Sequence, residues 1–529
     1  MNINILIFLI MMSMLLMLLM IVMVPLMKIN FMMLEWEFLS FKMNIYFNSV
    51  LFSLILAVVT LTVLIFSTYY LNNELNFNYY YFVLLIFVGS MFMLNFSNNV
   101  LAMLMSWDLL GISSFFLVLF YNNWDSNSGA MNTALTNRLG DFFLFTFFSG
   151  CVFVGFYFIS FEFFSLSMMT LLLLTSFTKS AQFPFSSWLP KAMSAPTPVS
   201  SLVHSSTLVT AGLILLMNFS YFSFNNVFMN VILIVGGVTM FFSSVTALVE
   251  EDMKKVVALS TLSQMGFSMM TLGLGLSFVS LVHLMSHALF KSCLFMQVGY
   301  VIHSSFGQQD GRNYGYNGML PLFVQLQLLV TLFCLCGLMF SSGMVSKDLV
   351  LEMFFSNSEV MIFSIMIFVS IFLTFGYSYR LWKSLFLSFK KVIYNYSSSM
   401  VMNFLSLMLI MFSVFLLWWM NYNMFVFPTL LLYVDFYVPL LYIMIICLVS
   451  YFVYKMMFKE LMYKFFVDYL AKNVIYKVKN MKFFDLNLNK LNFVNFFAFS
   501  TFSNVFMKYM GNFKYNNVIF LIFLIYLVL

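Results

Sequence analysis

The sequence predicts an all-α, polytopic membrane protein of about 14–15 spans, and three observations predict it. Of 529 residues, 63% are hydrophobic and only 8% charged, against roughly 25% charged in an ordinary soluble domain. The mean hydropathy is +1.00. The apolar residues also come in successive runs of about 20, the length a helix needs to cross a hydrocarbon core. No soluble core could hide this much apolar surface, so the solvent is lipid.

In chain order, the first run, MNINILIFLIMMSMLLMLLMIVMVPLMK, is longer than a signal-peptide core and has no basic start or small-residue cleavage site. It reads as the first span, near 3–27. Further spans are expected near 45–70, 78–97, 99–121, 136–160, 163–183, 196–217, 227–249, 255–275, 277–303 and 320–342. The run 344–385 is long enough for more than one piece, and 401–421 and 437–455 follow. The C-terminus differs. Lys455 to Lys490 holds eight basic and three acidic residues. Glu460, Lys464, Asp468 and Lys472 alternate in sign at i, i+4, opposite Phe458, Leu461, Phe465 and Tyr469. This predicts a long lateral amphipathic helix lying in the membrane interface or along a partner, with 518–529 as a final anchor helix. A charged tail ending outside the membrane is the alternative.

Two of the expected helices are broken. The stretch 178–212 holds four of the chain's eight prolines, Pro184, Pro190, Pro196 and Pro198, beside Lys179 and ahead of His204. Proline removes a backbone donor and ends or bends a helix. Such irregular backbone survives at membrane depth only where protein buries it or water lines it. A second apolar run breaks at Ser341-Ser342-Gly343, just before Lys347. Interrupted segments at matching places in two halves point to a transport site between repeats. The expected units are therefore 1–97, 98–250 with the first break, 251–390 with the second, 391–455, and 456–529.

The charged residues inside these runs are few. His283, His287 and Lys291 fall at i, i+4 and i+8, on one helix face over about 12 Å of rise. Burying such groups in hydrocarbon is expensive unless they are paired or wet, and histidine titrates near neutral pH, so the stripe suits a proton relay. A structural hydrogen-bonding role is one rival. Zinc is another, although Leu284 stands where a zinc protease motif needs Glu. Desolvation disfavours a lysine's charged form and a nearby carboxylate favours it. A carboxylate moving relative to Lys179 would therefore load or discharge it, and Asp108 is the expected partner. Lys347 has Asp348 beside it in sequence, turned about 100° away on a helix. Snorkelling to the interface is the plain alternative for both lysines. Arg138 and Asp141, at i, i+3, read equally well as a structural ion pair. The run Glu250, Glu251, Asp252, Lys254 and Lys255 reads as a loop at the water surface, and Lys191 as a loop residue.

The net charge of +6 is scattered between apolar runs or gathered near the C-terminus, which fits loops and lipid headgroups better than nucleic acid. The five cysteines form no cluster and read as small packing residues. No G-x-G-x-x-G motif follows a strand.

The motifs WDLLG (107–111), NRLGD (137–141), the stretch 179–212, KKVVALSTLSQMGF (254–267), HLMSHALFKSCLF (283–295) and FSSGMVSKDLVLE (340–352) resemble the antiporter-like, proton-pumping membrane subunits of respiratory complex I. By layout, the lateral helix and final anchor fit the same family. The resemblance implies an inverted-repeat, antiporter-like core in the mitochondrial inner membrane. It implies a proton path through Asp108, Lys179, His204, His283, His287, Lys291 and Lys347, with Arg138, Asp141 and Asp348 as supporting charge. It also implies that this chain binds no cofactor, because NADH, FMN, iron–sulfur clusters and ubiquinone serve other subunits. The implied partners are other membrane-arm subunits, especially a neighbouring antiporter-like subunit contacted through the lateral helix, and lipids. Most members have Glu where this chain has Asp108, a side chain one methylene shorter. The segment before about residue 30 is shorter than in many relatives, which implies one early helix fewer. A subunit of a multisubunit cation/proton antiporter shares the same motifs and is the alternative. A mainly structural clamp is the third reading.

Overall fold

The computed structural model describes residues 27–31, 41–72, 74–97, 100–153, 166–219, 225–314, 322–337, 342–343, 346–347, 350, 361–386 and 404–413. By internal contacts the chain divides into Met1–Phe458 and Lys459–Leu529, and every described residue lies in the first unit. The expected spans 3–27 and 437–455, the lateral helix, the anchor and Asp348 lie outside the described residues.

The fold is helical, as the apolar runs require. In lipid, only helices and closed barrels satisfy every backbone polar group internally. Its helices are α1 (Phe47–Tyr70), α2 (Phe77–Phe96), α3 (Val100–Val118), α4 (Trp124–Phe153), α5 (Leu166–Lys179) and the short α6 (Trp188–Lys191). After these come α7 (Thr197–Asn218), α8 (Asn226–Val249), α9 (Met253–Gly273), α10 (Ser277–Ser304), α11 (Leu322–Cys336) and α12 (Met361–Phe386). The last is α13 (Phe404–Ser413). Seven of those described are long and apolar enough to cross a membrane.

Two features depart from the expected layout. A two-stranded antiparallel ribbon, Met27–Phe31 with Phe41–Ile45, precedes α1, in register Met27↔Ile45 to Phe31↔Phe41. Helix α4 also begins at Trp124, twelve residues before the apolar run expected from 136. Its first turns are polar, so an apolar-run rule passes over them. They form because the Ser126 hydroxyl accepts the Asn123 N–H at 2.7 Å, an N-terminal cap that satisfies a donor the helix cannot.

Packing sorts the helices into an outer and an inner set. α2, α3 and α8 have about half of their span windows buried (50%, 44% and 50%), whereas α7 and α9 are wholly buried and α10 is 94% buried. The inner helices are the polar ones, the reverse of a soluble protein. Their hydroxyls are mostly satisfied locally: Thr261 donates to the Ala258 carbonyl at 2.7 Å and Ser260 to Val257 at 2.7 Å. α10 packs against α1, α7, α9 and α11. α8 and α9 approach most closely where Gly236 meets Gly266. A Cβ on Gly236 would lie 2.9 Å from the Gly266 carbonyl oxygen, so only glycines permit this crossing. Arg380 of α12 donates to the Ala247 and Leu248 carbonyls at the end of α8, a cation where a helix dipole is negative.

Candidate functional site

The first centre forms where α5 ends. Lys179 is the last residue of α5 and is fully buried. The helix stops at Ala181, which adopts a left-handed φ of 55°. Two bonds hold the turn: Gln182 N–H to the Phe177 carbonyl at 3.0 Å and Trp188 Nε1–H to the Thr178 carbonyl at 3.0 Å. Lys179 Nζ donates to the Trp107 carbonyl of α3 at 2.7 Å and lies 3.9 Å from the centroid of the Trp107 ring.

The expected Asp108–Lys179 pair is not formed. Asp108 instead bonds Arg138 at 3.0 Å, and Arg138 also reaches Asp141 at 3.2 Å. Neighbours on a helix point about 100° apart, so α3 turns Trp107 inward and Asp108 outward. Asp108 is 35% exposed in its side chain, whereas Asp141 is 4% exposed. The supporting carboxylate of the sequence analysis is thus the buried one.

His204 sits beyond the prolines in a π-helical segment, Ser200–Thr207, of α7. The Leu208 N–H returns to the Val203 carbonyl, five residues back. The Ser and Thr hydroxyls bond upstream carbonyls, such as Thr207 Oγ1 to Leu202 at 2.8 Å. Such bulges are frequent at functional sites. Both ring nitrogens of His204 are buried without a hydrogen-bond partner among the described residues, and its ring lies 6.1 Å from that of Trp188. This segment packs against α10.

On α10, His283, His287 and Lys291 are all fully buried, as one helix face predicted. Lys291 Nζ donates to Ser260 Oγ of α9 at 2.5 Å. The His283 and His287 rings stack at 6.4 Å. His283 Nδ1 meets Ser346 Oγ at 2.8 Å. Its Nε2 and both nitrogens of His287 have no hydrogen-bond partner among the described residues.

The second centre mirrors the first in kind. Lys347, 2% exposed, donates to the carbonyls of Leu335 at 2.7 Å and Cys336 at 3.0 Å, at the end of α11. A lysine on the free carbonyls of a helix C-terminus is favourably placed. Gly337 makes room for it: its φ is 75°, and a Cβ there would lie 2.8 Å from Lys347 Cδ.

Neither lysine snorkels. Lys191 is exposed, but it is the last residue of the short α6 and not a loop residue. The run 250–255 is not simply a solvated loop. Asp252 pairs with Lys255 at 2.6 Å and Glu251 with Arg312 at 2.7 Å, but Lys254 turns inward, 4% exposed, to the Ala195 carbonyl at 3.4 Å. Sequence reasoning also passed over Trp107, Ser260, Ser346 and Gln182, whose Oε1 accepts from Thr239 at 2.6 Å. A large buried polar side chain beside a helix break was the available signal. Cys293, Cys334 and Cys336 are free and buried. Among the described residues no group of three His, Cys, Asp or Glu is placed to hold a metal ion.

Residues 97–374 match the family described as NADH:quinone oxidoreductase/Mrp antiporter, transmembrane. The chain is 66% identical over 525 residues to the NADH-ubiquinone oxidoreductase chain 5 of Caenorhabditis elegans, covering 99% of this chain and all of that one. It is 62% identical over 499 residues to that of Ascaris suum, covering 94% and 91%. A solved Mrp complex from Dietzia sp. DQ12-45-1b superposes with a TM-score of 0.72 at 22% identity, covering 88% of this chain and 55% of that one. That likeness shows the fold; this chain spans about half of its length. Identity across nearly the whole chain decides between the two relationships, and the chain belongs to the NADH-ubiquinone oxidoreductase chain 5 family.

Proposed function

We propose that this chain moves protons across the membrane along a buried axis running from Asp141 and Lys179, through His204, to Lys291, His287, His283 and Lys347. It does so as a membrane subunit of respiratory complex I in the inner mitochondrial membrane, where NADH is oxidised by ubiquinone. The observation that supports the axis is burial. Six titratable side chains, Lys179, His204, His283, His287, Lys291 and Lys347, are each at most 2% exposed. They lie on or beside the innermost polar helices.

An unsatisfied buried polar atom costs about 1–3 kcal/mol. The unpartnered nitrogens of His204 and His287 therefore call for water, which would carry protons between groups too far apart to bond directly. Lys179 and Lys347 are held by main-chain carbonyls, which accept from the ammonium and stabilise it while it carries the proton, and Lys291 by the Ser260 hydroxyl. Arg138 holds Asp108 and Asp141 together and sets how much negative charge faces Lys179. No redox group is needed on this chain in this reading; NADH, FMN, iron–sulfur clusters and ubiquinone belong to other subunits. Other membrane subunits are its partners. The segment 456–529, which the sequence reads as a lateral helix followed by a membrane anchor, is in this reading the part that contacts the neighbouring antiporter-like subunit, and lipids cover the outer helices.

The test is Lys179→Met and Lys347→Met in the assembled complex. Proton pumping should fall in each while assembly persists; unchanged pumping sinks the axis. Cutting the chain near 455 separates the lateral helix from it, since that change should impair assembly instead.

A further inference from the structure

The proton axis leaves Trp107 without a role, although it holds the lysine of the first centre in two ways. Its ring centroid lies 3.9 Å from Lys179 Nζ, and its own carbonyl accepts that ammonium at 2.7 Å. The side chain is 1% exposed. Its indole Nε1 and the Asp141 Oδ1 are both buried, and neither has a hydrogen-bond partner among the described residues. Indole has the right anisotropy for this place. Its face is negative and attracts a cation, best of all the aromatic side chains. Its N–H edge is a donor only and suits an anion.

We propose that Trp107 is a positioning residue: it holds the Lys179 ammonium between its ring face and its own main-chain carbonyl. Asp108, the next residue on α3, is left to Arg138 on the outer side. A bulky apolar filler would need no ring face over Nζ. The geometry therefore separates positioning from packing.

This inference rests on Lys179 being a proton-carrying group, and the two fail separately. The experiment measures NADH-driven proton pumping, per assembled complex reconstituted into vesicles, in a cycle of Trp107 and Lys179 variants. Trp107→Leu keeps an apolar filler and removes both the face and the N–H; Trp107→Phe keeps the face alone. Pumping should fall about tenfold in Trp107→Leu, the order expected for a desolvated cation–π contact, and less in Trp107→Phe. On a Lys179→Met background, Trp107→Leu should remove nothing further, because contacting residues that act as a unit are not additive. Unchanged pumping in Trp107→Leu, or losses that add on the Lys179→Met background, would overturn the positioning role. If Trp107→Leu does not assemble, Trp107→Phe decides: partial pumping supports the role, and a loss equal to that of Lys179→Met overturns it. Unchanged pumping in Lys179→Met instead removes the reading beneath it.

Discussion

Replacing Asp141 by Asn removes the buried carboxylate of the first centre and keeps the shape of the side chain. At an effective dielectric near 20, a nearby unit charge contributes about 3 kcal/mol, close to a hundredfold in the balance between charged and neutral lysine. Asp108 offers much less. Its side chain is 35% exposed and tied to an Arg138 that is 53% exposed, a pair of the kind worth about 0–1 kcal/mol. Asp141→Asn should therefore lower NADH-driven proton pumping by more than tenfold, and Asp108→Asn by less than about threefold. Both should be measured in reconstituted vesicles with assembly quantified on native gels. A larger loss in Asp108→Asn than in Asp141→Asn would refute the assignment, and would restore the sequence-derived pairing of Asp108 with Lys179.

Two further changes probe the second half of the axis. Gly337→Ala places a Cβ 2.8 Å from Lys347 Cδ at a φ of 75°, where an L-residue is strained by about 1–2 kcal/mol; it should lower both assembly yield and pumping, and wild-type values for both would contradict the packing described. Ser260→Ala removes the hydroxyl that accepts from Lys291 Nζ. A hydrogen bond to a charged group is worth about 1.5–3 kcal/mol, so pumping should fall about tenfold with little change in assembly.

Most of the helical framework was legible from apolar run length, because lipid forces the backbone into helices of a set length. The starts and ends of α1, α2, α7, α8 and α10 lie within about two residues of those expected. The stripe His283, His287 and Lys291 was legible for a similar reason, since helical periodicity puts i, i+4 and i+8 on one face. Three things were not. The polar first turns of α4 depend on a cap at Asn123 and Ser126 rather than on hydrophobicity. Asp108 and Asp141 differ through the rotation of α3 and the placing of Arg138, which only tertiary packing decides. Lys254 sits in a charge run that reads as solvated, yet packing turns it to the Ala195 carbonyl. The ribbon before α1 also escaped, because it falls between the expected spans 3–27 and 45–70, where apolar run length carries no signal.

The central claim is that protons cross this chain through its buried lysines. The most direct measurement is the number of protons pumped per NADH oxidised by assembled complex carrying Lys347→Met, reconstituted into tight vesicles beside the wild type. The axis predicts a lower ratio at undiminished assembly, because Lys347 is held on the Leu335 and Cys336 carbonyls as the group farthest along the path. An unchanged ratio would contradict it.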